Sequence, residues 1–224
     1  IKVVMEERRL RTEDQARGVV EEQLMAAVFT AHPYGRPVIG WMSDLQSMTY
    51  ADANEWYQRW YAPNNAIIVV AGDVVASEVF ALAEKYFGAL QPKSLPARKP
   101  QDEAAQRGIR RISVKAPAEL PSLTMAWRAP VLRDVANETE PYALEMLAGV
   151  LDGSDAARLT RTLVREEKIA NAVNAAYENT QRGPGLFMLS GIPAAGRTVE
   201  ELEQAIRREL KKIADNGVSE QELK

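Results

Sequence analysis

A chain of 224 residues, 46% apolar and 26% charged, holds enough hydrophobic material for one large domain or two of about 100 residues each. Its net charge of −3, with both signs interspersed, leaves no electrostatic footprint for nucleic acid, and no basic amphipathic segment points to a membrane surface. No apolar run approaches the roughly 20 residues that span a bilayer. The absence of cysteine excludes disulfides, thiolate metal sites and a cysteine nucleophile. The first residue is Ile1 rather than methionine, so the chain is expected to begin inside a longer polypeptide, whose targeting segment stays unread.

Residues 2–31 are rich in Glu, Arg, Gln, Leu and Ala, contain no proline, and have Gly18 as their strong breaker. Val4, Met5, Leu24, Met25, Val28 and Phe29 recur at helical spacing, which predicts two helices or one long broken helix. His32-Pro33-Tyr34-Gly35-Arg36-Pro37 is turn chemistry that ends it. Thr49 with Asp52 three positions on has the logic of a capping box. The helix it opens carries Trp56, Tyr57, Trp60 and Tyr61 and stops before Pro63. Residues 66–71 are a continuous apolar run rich in Ile and Val, expected to be a strand buried on both faces. Residues 76–90 predict a helix with Val79, Leu82, Ala83, Tyr86 and Phe87 along one stripe.

Pro92, Pro96 and Pro100 are interleaved with Lys, Arg, Gln and Asp, which makes residues 92–108 the best linker candidate. Strands are predicted at 109–115 and 122–128, then a helix at 140–151 with Pro141 in its first turn. Gly153-Ser154-Asp155 breaks that helix, and residues 156–167 resume it with Leu159, Leu163 and Val164 inward. Two further strands, 169–177 and 186–192, flank the Gly183-Pro184-Gly185 turn. Thr198 caps a long final helix to about Asn216, Gly217 ends it, and Ser219 with Glu222 has the pattern of one more capping box. This succession is α+β, with mixed or antiparallel sheets and both ends truncated.

Few residues stand out chemically. Glu6 and Glu7, in Glu-Glu-Arg-Arg, read as a solvated helical face of i,i+4 pairs. Arg8, Arg9 and Arg11 read as a salt-bridged helix surface, since Glu13 and Asp14 follow at once. His32 is the single histidine, so no ordinary zinc site of three or four protein donors is expected from this chain alone. It reads as a turn residue. Trp41, Trp56, Trp60 and Trp127 are expected in cores. Glu138, Asp152 and Asp155 are too scattered for a general acid and base pair.

Three stretches taken together resemble the pitrilysin/insulinase-type zinc peptidases, the inverzincins, whose members include the mitochondrial processing peptidases. The first is Val3-Val-Met-Glu-Glu-Arg-Arg-Leu-Arg11. The second is Ala31-His-Pro-Tyr-Gly-Arg-Pro-Val-Ile-Gly40 running into Asp44-Leu45, then Tyr61-Ala-Pro-Asn-Asn-Ala66 and Val69-Val-Ala-Gly-Asp73. The third, Leu151-Asp-Gly-Ser-Asp-Ala-Ala-Arg-Leu159 with Leu163-Val-Arg-Glu166, is similar to the family's Gly-x-x-Ser-Arg-Leu…Leu-Arg-Glu segment, with Ala157 where serine is usual.

The resemblance implies a zinc endopeptidase in which an H-x-x-E-H helix supplies two histidine ligands and the glutamate base, so that metal-activated water attacks the scissile bond. The third ligand lies downstream in a Glu-x6-Glu pattern. Carried onto this sequence, its second glutamate falls on Glu7, with Glu6 as the non-ligating neighbour; its first would precede Ile1. No H-x-x-E-H segment occurs in these residues, so no catalytic residue is assigned and the chain is expected to be an inactive fragment, with zinc a cofactor of its parent only. The implied architecture is α+β, two consecutive α/β-sandwich-type domains with mixed or antiparallel sheets flanked by helices. Residues 1–91 would be the C-terminal part of the first, zinc-bearing domain, 92–108 the linker, and 109–224 most of the second. Implied partners are a peptide or protein substrate, bound as an added strand at a sheet edge, and a homo- or hetero-dimeric half of the same family. Nucleic acid and a membrane span are not expected. The alternative is a non-catalytic partner or structural subunit of the same fold, against which the retained Glu-Glu-Arg-Arg-x-Arg segment speaks. Relatives of this kind imply a soluble, periplasmic or secreted bacterial setting.

Overall fold

In the computed structural model, which describes residues 1–223, the chain divides into two compact units, Ile1–Ile109 and Arg110–Lys224. The first is helical. Helix α1 (Lys2–Arg8) runs directly into a π-helical turn at Arg9–Glu13, and α2 (Ala16–Val28) follows. The break falls at Asp14 and the extended Gln15, one turn before Gly18, which lies within α2. Gly18 serves close approach instead: a Cβ there would sit 2.5 Å from the Arg11 carbonyl oxygen and 2.8 Å from the Thr12 Cα. Helices α3 (Met42–Ser47), α4 (Tyr50–Trp60) and α5 (Ala76–Phe87) complete the unit. The capping box of α4 forms as expected, with the Asp52 carboxylate accepting from the Thr49 N–H at 2.7 Å and Thr49 Oγ1 accepting from the Asp52 N–H at 3.4 Å.

Three expectations for this unit are corrected. Residues 66–71 form no strand, and Ile67 is 92% exposed. A β-branched run becomes a strand only when a neighbour completes its hydrogen-bond ladder, and among the described residues the sheet holds three strands, all in the second unit. The α5 stripe is half-buried only at Val79 and Ala83, whereas Leu82, Tyr86 and Phe87 are exposed. Nor are the tryptophans core residues: Trp56 is exposed and Trp41 and Trp60 half-buried, as Trp127 of the second unit is exposed, while the buried apolar residues of this unit are Phe29, Leu45 and Ala62. The proline-rich stretch is pinned at two places within the same unit. Asn64 exchanges two hydrogen bonds of 3.0 Å with the Lys93 backbone. The Glu103 carboxylate accepts from the Thr30 hydroxyl and from the backbone N–H groups of Ala31 and His32 at 2.7, 2.7 and 2.9 Å.

The second unit is built on an antiparallel sheet in the order β1-β3-β2, from β1 (Leu123–Ala129), β2 (Ala170–Tyr177) and β3 (Gly185–Pro193). Residues 109–115, expected as a strand, join no ladder. There Arg111 pairs through its side chain with Glu203 at 2.5 Å. Helix α6 (Glu140–Asp152) and helix α7 (Val199–Asn216) cover the sheet. The core alternates as strand periodicity requires: Met125, Val173, Phe187 and Leu189 point to one face and meet Leu151 of α6 and Leu202, Ala205 and Ile206 of α7. Leu159 and Leu163 complete it from residues 158–166, which end in a π-helical stretch at Thr160–Glu166 where an ordinary helix was expected. Thr198 and Gly217 bound α7 as expected, and the Thr198 cap is a full capping box with Glu201. Among the described residues no helix is long and apolar enough to cross a membrane.

Candidate functional site

Glu6, Glu7 and Arg8 sit on consecutive positions of α1, about 100° apart around the helix. The Glu7 side chain is 42% exposed, and its Oε1 lies 3.2 Å from Nη2 of Arg11, one turn on. Glu6 is the more exposed of the two acids, 59%, and pairs with Arg9 at 2.9 Å. Both pairs are exposed, and such pairs contribute roughly 0.3–0.5 kcal/mol. The Glu7 carboxylate is therefore held weakly where it is.

Arg8 behaves otherwise, and here the expectation of a uniform salt-bridged surface is corrected. Arg8 is 4% exposed. Its Nη1 and Nη2 form a fork on Glu22 at 2.7 and 3.1 Å, its Nε reaches Glu13 at 3.2 Å, and Nη1 also donates to the Gly40 carbonyl at 2.9 Å. The guanidinium lies 5.8 Å from the centre of the Trp41 ring. The hydrogen bond with Glu22 raises the Arg8 pKa against the opposing cost of burial. Nothing local in the sequence marks Arg8 apart from Arg9 and Arg11, because two of its three partners, Glu22 and Gly40, lie 14 and 32 residues away.

His32 is a turn residue, as its neighbours suggested. Its Nδ1 accepts from the Tyr34 N–H at 3.2 Å, and its ring packs edge-on against Tyr34 with centroids 4.6 Å apart. Backbone hydrogen bonds from His32 and Ala31 and the Thr30 hydroxyl bring the Glu103 pKa down to about 2. The scattered acids are structural too: Asp152 accepts from the Ala175 N–H at 3.1 Å, and Glu138 from the Arg133 and Asp134 N–H groups at 2.5 and 3.0 Å.

Among the described residues no three His, Cys, Asp or Glu side chains come together as a group that could hold a metal ion. Zinc takes three or four protein donors. Glu7 is an accessible carboxylate on a weak pair, a single donor where such a site takes three or four, and the described residues do not complete one.

In the second unit, a cavity of about 690 Å³ is lined by Ser154, Arg158, Arg161, Glu209, Lys212 and Glu222, among others. Arg158, from the third family-like stretch, grips Glu222 through Nε and Nη2, both at 2.7 Å. That bond, with the Ser219 backbone N–H, lowers the Glu222 pKa to about 2. A depressed carboxylate pKa stabilises the fold above its unfolded value, and the contribution disappears as the pH falls toward the folded value. Acid should therefore weaken this corner progressively between about pH 4.5 and about pH 2. Thermal melting across that window is expected to show a flatter acid dependence in Glu222→Gln than in the parent sequence.

Comparison with known proteins gives consistent matches. The family model described as the peptidase M16 inactive domain matches residues 47–224. The chain is 27% identical over 228 residues to the zinc protease PqqE of Helicobacter pylori, covering 99% of this chain and 49% of that protein. It is 25% identical over 211 residues to the uncharacterized zinc protease YmxG of Bacillus subtilis, covering 94% of this chain and 49% of the relative. A crystal structure of a protease from Helicobacter pylori matches with a TM-score of 0.85 at 27% identity, over 99% of this chain and 53% of that one. The chain thus spans about half the length of the curated relatives it matches.

Proposed function

This chain belongs to the peptidase M16 family, its matched region being the domain described there as inactive, and from that premise we propose that it is part of a zinc-dependent endopeptidase to which it contributes one metal ligand, Glu7. The observation that carries the proposal is the state of Glu7: a half-exposed carboxylate in the family-like stretch, on an exposed pair with Arg11 that costs little to open. Zinc, when bound, supplies Lewis acidity and brings the pKa of a coordinated water down to about 7. Glu7 would hold that ion through a carboxylate oxygen, in place of its pair with Arg11. Glu6, on its own pair with Arg9, takes no part. The histidine ligands and the glutamate base come from residues outside this sequence, so the 224 residues by themselves are inactive.

In the same proposal, residues 1–91 close the metal-bearing domain, 92–108 connect it onward, and 109–224 form most of a second domain. The substrate is a peptide or protein, and another half of the same family is the natural partner. The periplasmic or secreted bacterial setting rests on the resemblance alone. A second reading, a non-catalytic partner subunit, draws on the description of the matched domain as inactive. The two separate in one experiment on the full-length protein that carries this chain: peptide hydrolysis that stops on chelation and returns with zinc supports the peptidase. A protein that neither retains zinc nor cleaves peptides supports the partner subunit.

A further inference from the structure

We infer that Arg8 is a positioning residue for Glu7, setting the rotation and seat of α1 and thereby the direction in which the Glu7 carboxylate is presented to the metal; this rests on the reading of Glu7 as a ligand. Helices usually dock through an apolar stripe, and α1 has none that is buried. Val3 is 81% exposed and Leu10, just beyond the helix, 60%. Arg8 is the one buried residue of α1. Two of its partners lie off this helix, Glu22 on α2 and the Gly40 carbonyl in the turn before α3, while Glu13 ends the π-helical turn that continues α1. Attachment of one planar group to two separate elements restrains both the rotation of a helix and its position along its axis. A single apolar contact would leave the rotation loose. The Arg fork matters here, since a lysine ammonium cannot hold two carboxylate oxygens in one plane.

The Gly40 anchor is itself fixed by backbone conformation. Gly40 has φ +84°, a region that L side chains rarely adopt, and this turn aims its carbonyl at Nη1 of Arg8. Trp41 then covers the guanidinium. Because Glu7 is the residue adjacent to Arg8, any rotation of α1 swings its carboxylate through an arc around the axis. Donor direction is what metal sites tolerate least: loss of supporting groups around metal ligands costs typically 10–100-fold in affinity.

The test is zinc affinity by chelator competition in the full-length protein, with thermal melting as the check on folding. Arg8→Met alone would strand Glu22 as an uncompensated, largely buried charge, so the informative variant is R8M/E22L, which removes both members; such replacements often leave stability unchanged or improved. The expected result is zinc binding about 10–100-fold weaker in R8M/E22L, and a smaller loss in Arg8→Lys, which keeps the charge without the fork. Thr49→Ala removes the α4 cap in the same unit and is expected to keep the parent zinc affinity despite losing about 1 kcal/mol of stability. Folded R8M/E22L and Arg8→Lys proteins with parent affinity, beside a Glu7→Gln protein that has lost zinc, overturn the positioning role and leave the ligand reading intact. Parent affinity in Glu7→Gln overturns the ligand reading and this inference with it.

Discussion

Glu7→Gln in the full-length protein is expected to abolish tight zinc binding and peptide hydrolysis together, with the helices of the first unit unchanged. The amide keeps the shape of the side chain but lacks the negative charge that makes a carboxylate a strong zinc donor. The loss in affinity should exceed about a hundredfold, the upper range for groups that merely support a ligand. Stability should hardly move, because all that is lost from the fold is the exposed 3.2 Å pair with Arg11, worth roughly 0.3–0.5 kcal/mol at most. Chelator competition and thermal melting on the same preparation separate the two effects. Glu6→Gln is the matched control: its partner Arg9 is also exposed, and zinc binding should survive. Loss of zinc in Glu6→Gln with retention in Glu7→Gln would reverse the assignment of the two neighbours.

Leu189→Ala should cost the second unit about 3–5 kcal/mol of stability, the upper part of the range for a truncated core leucine. Leu189 is fully buried at the middle of β3, the central strand, opposite Met125 on one side and Ala175 on the other. It belongs to one buried cluster with Leu151, Leu202 and Ile206, all fully buried, so the missing atoms would leave a space inside a packed core. A domain's whole stability is about 5–15 kcal/mol, so the second unit would retain a small margin. Urea denaturation, followed through a probe in this unit, should show a lower midpoint at an unchanged slope. The same truncation at exposed Leu10 should fall within about 0.5 kcal/mol of the parent. A Leu189→Ala loss as small as that at Leu10 would mean that the sheet and its two helices do not form the cooperative core described.

What the sequence disclosed depended on how local the controlling interactions are. The caps Thr49 and Thr198 were legible because a cap acts within one turn, and the partners Asp52 and Glu201 lie three residues away. Strands β1, β2 and β3 were legible from alternation and the glycine turn between the last two, and they pair within one unit. Residues 66–71 and 109–115 carry equally strong strand signals, but a strand is made by its neighbour, and none pairs with them among the described residues. Arg8 was misread for the same kind of reason. Charge pattern alone placed it on the surface with Arg9 and Arg11, whereas Glu22 and Gly40, far along the chain, draw it inside. Gly18 shows the converse error: it looked like a breaker, and its real duty is to let the Arg11–Thr12 backbone come close. The assignment of Glu7 itself came from the family resemblance, since helical spacing left Glu6 and Glu7 equivalent.

The most direct measurement is a zinc titration of the 224-residue chain beside the full-length protein, both competed against the same chromophoric chelator. The expected result is one tightly held zinc per full-length molecule and none on the 224 residues alone, because Glu7 is one donor where zinc takes three or four. A single stoichiometric, tightly held zinc on the 224-residue chain would contradict this, as would a full-length protein that binds none.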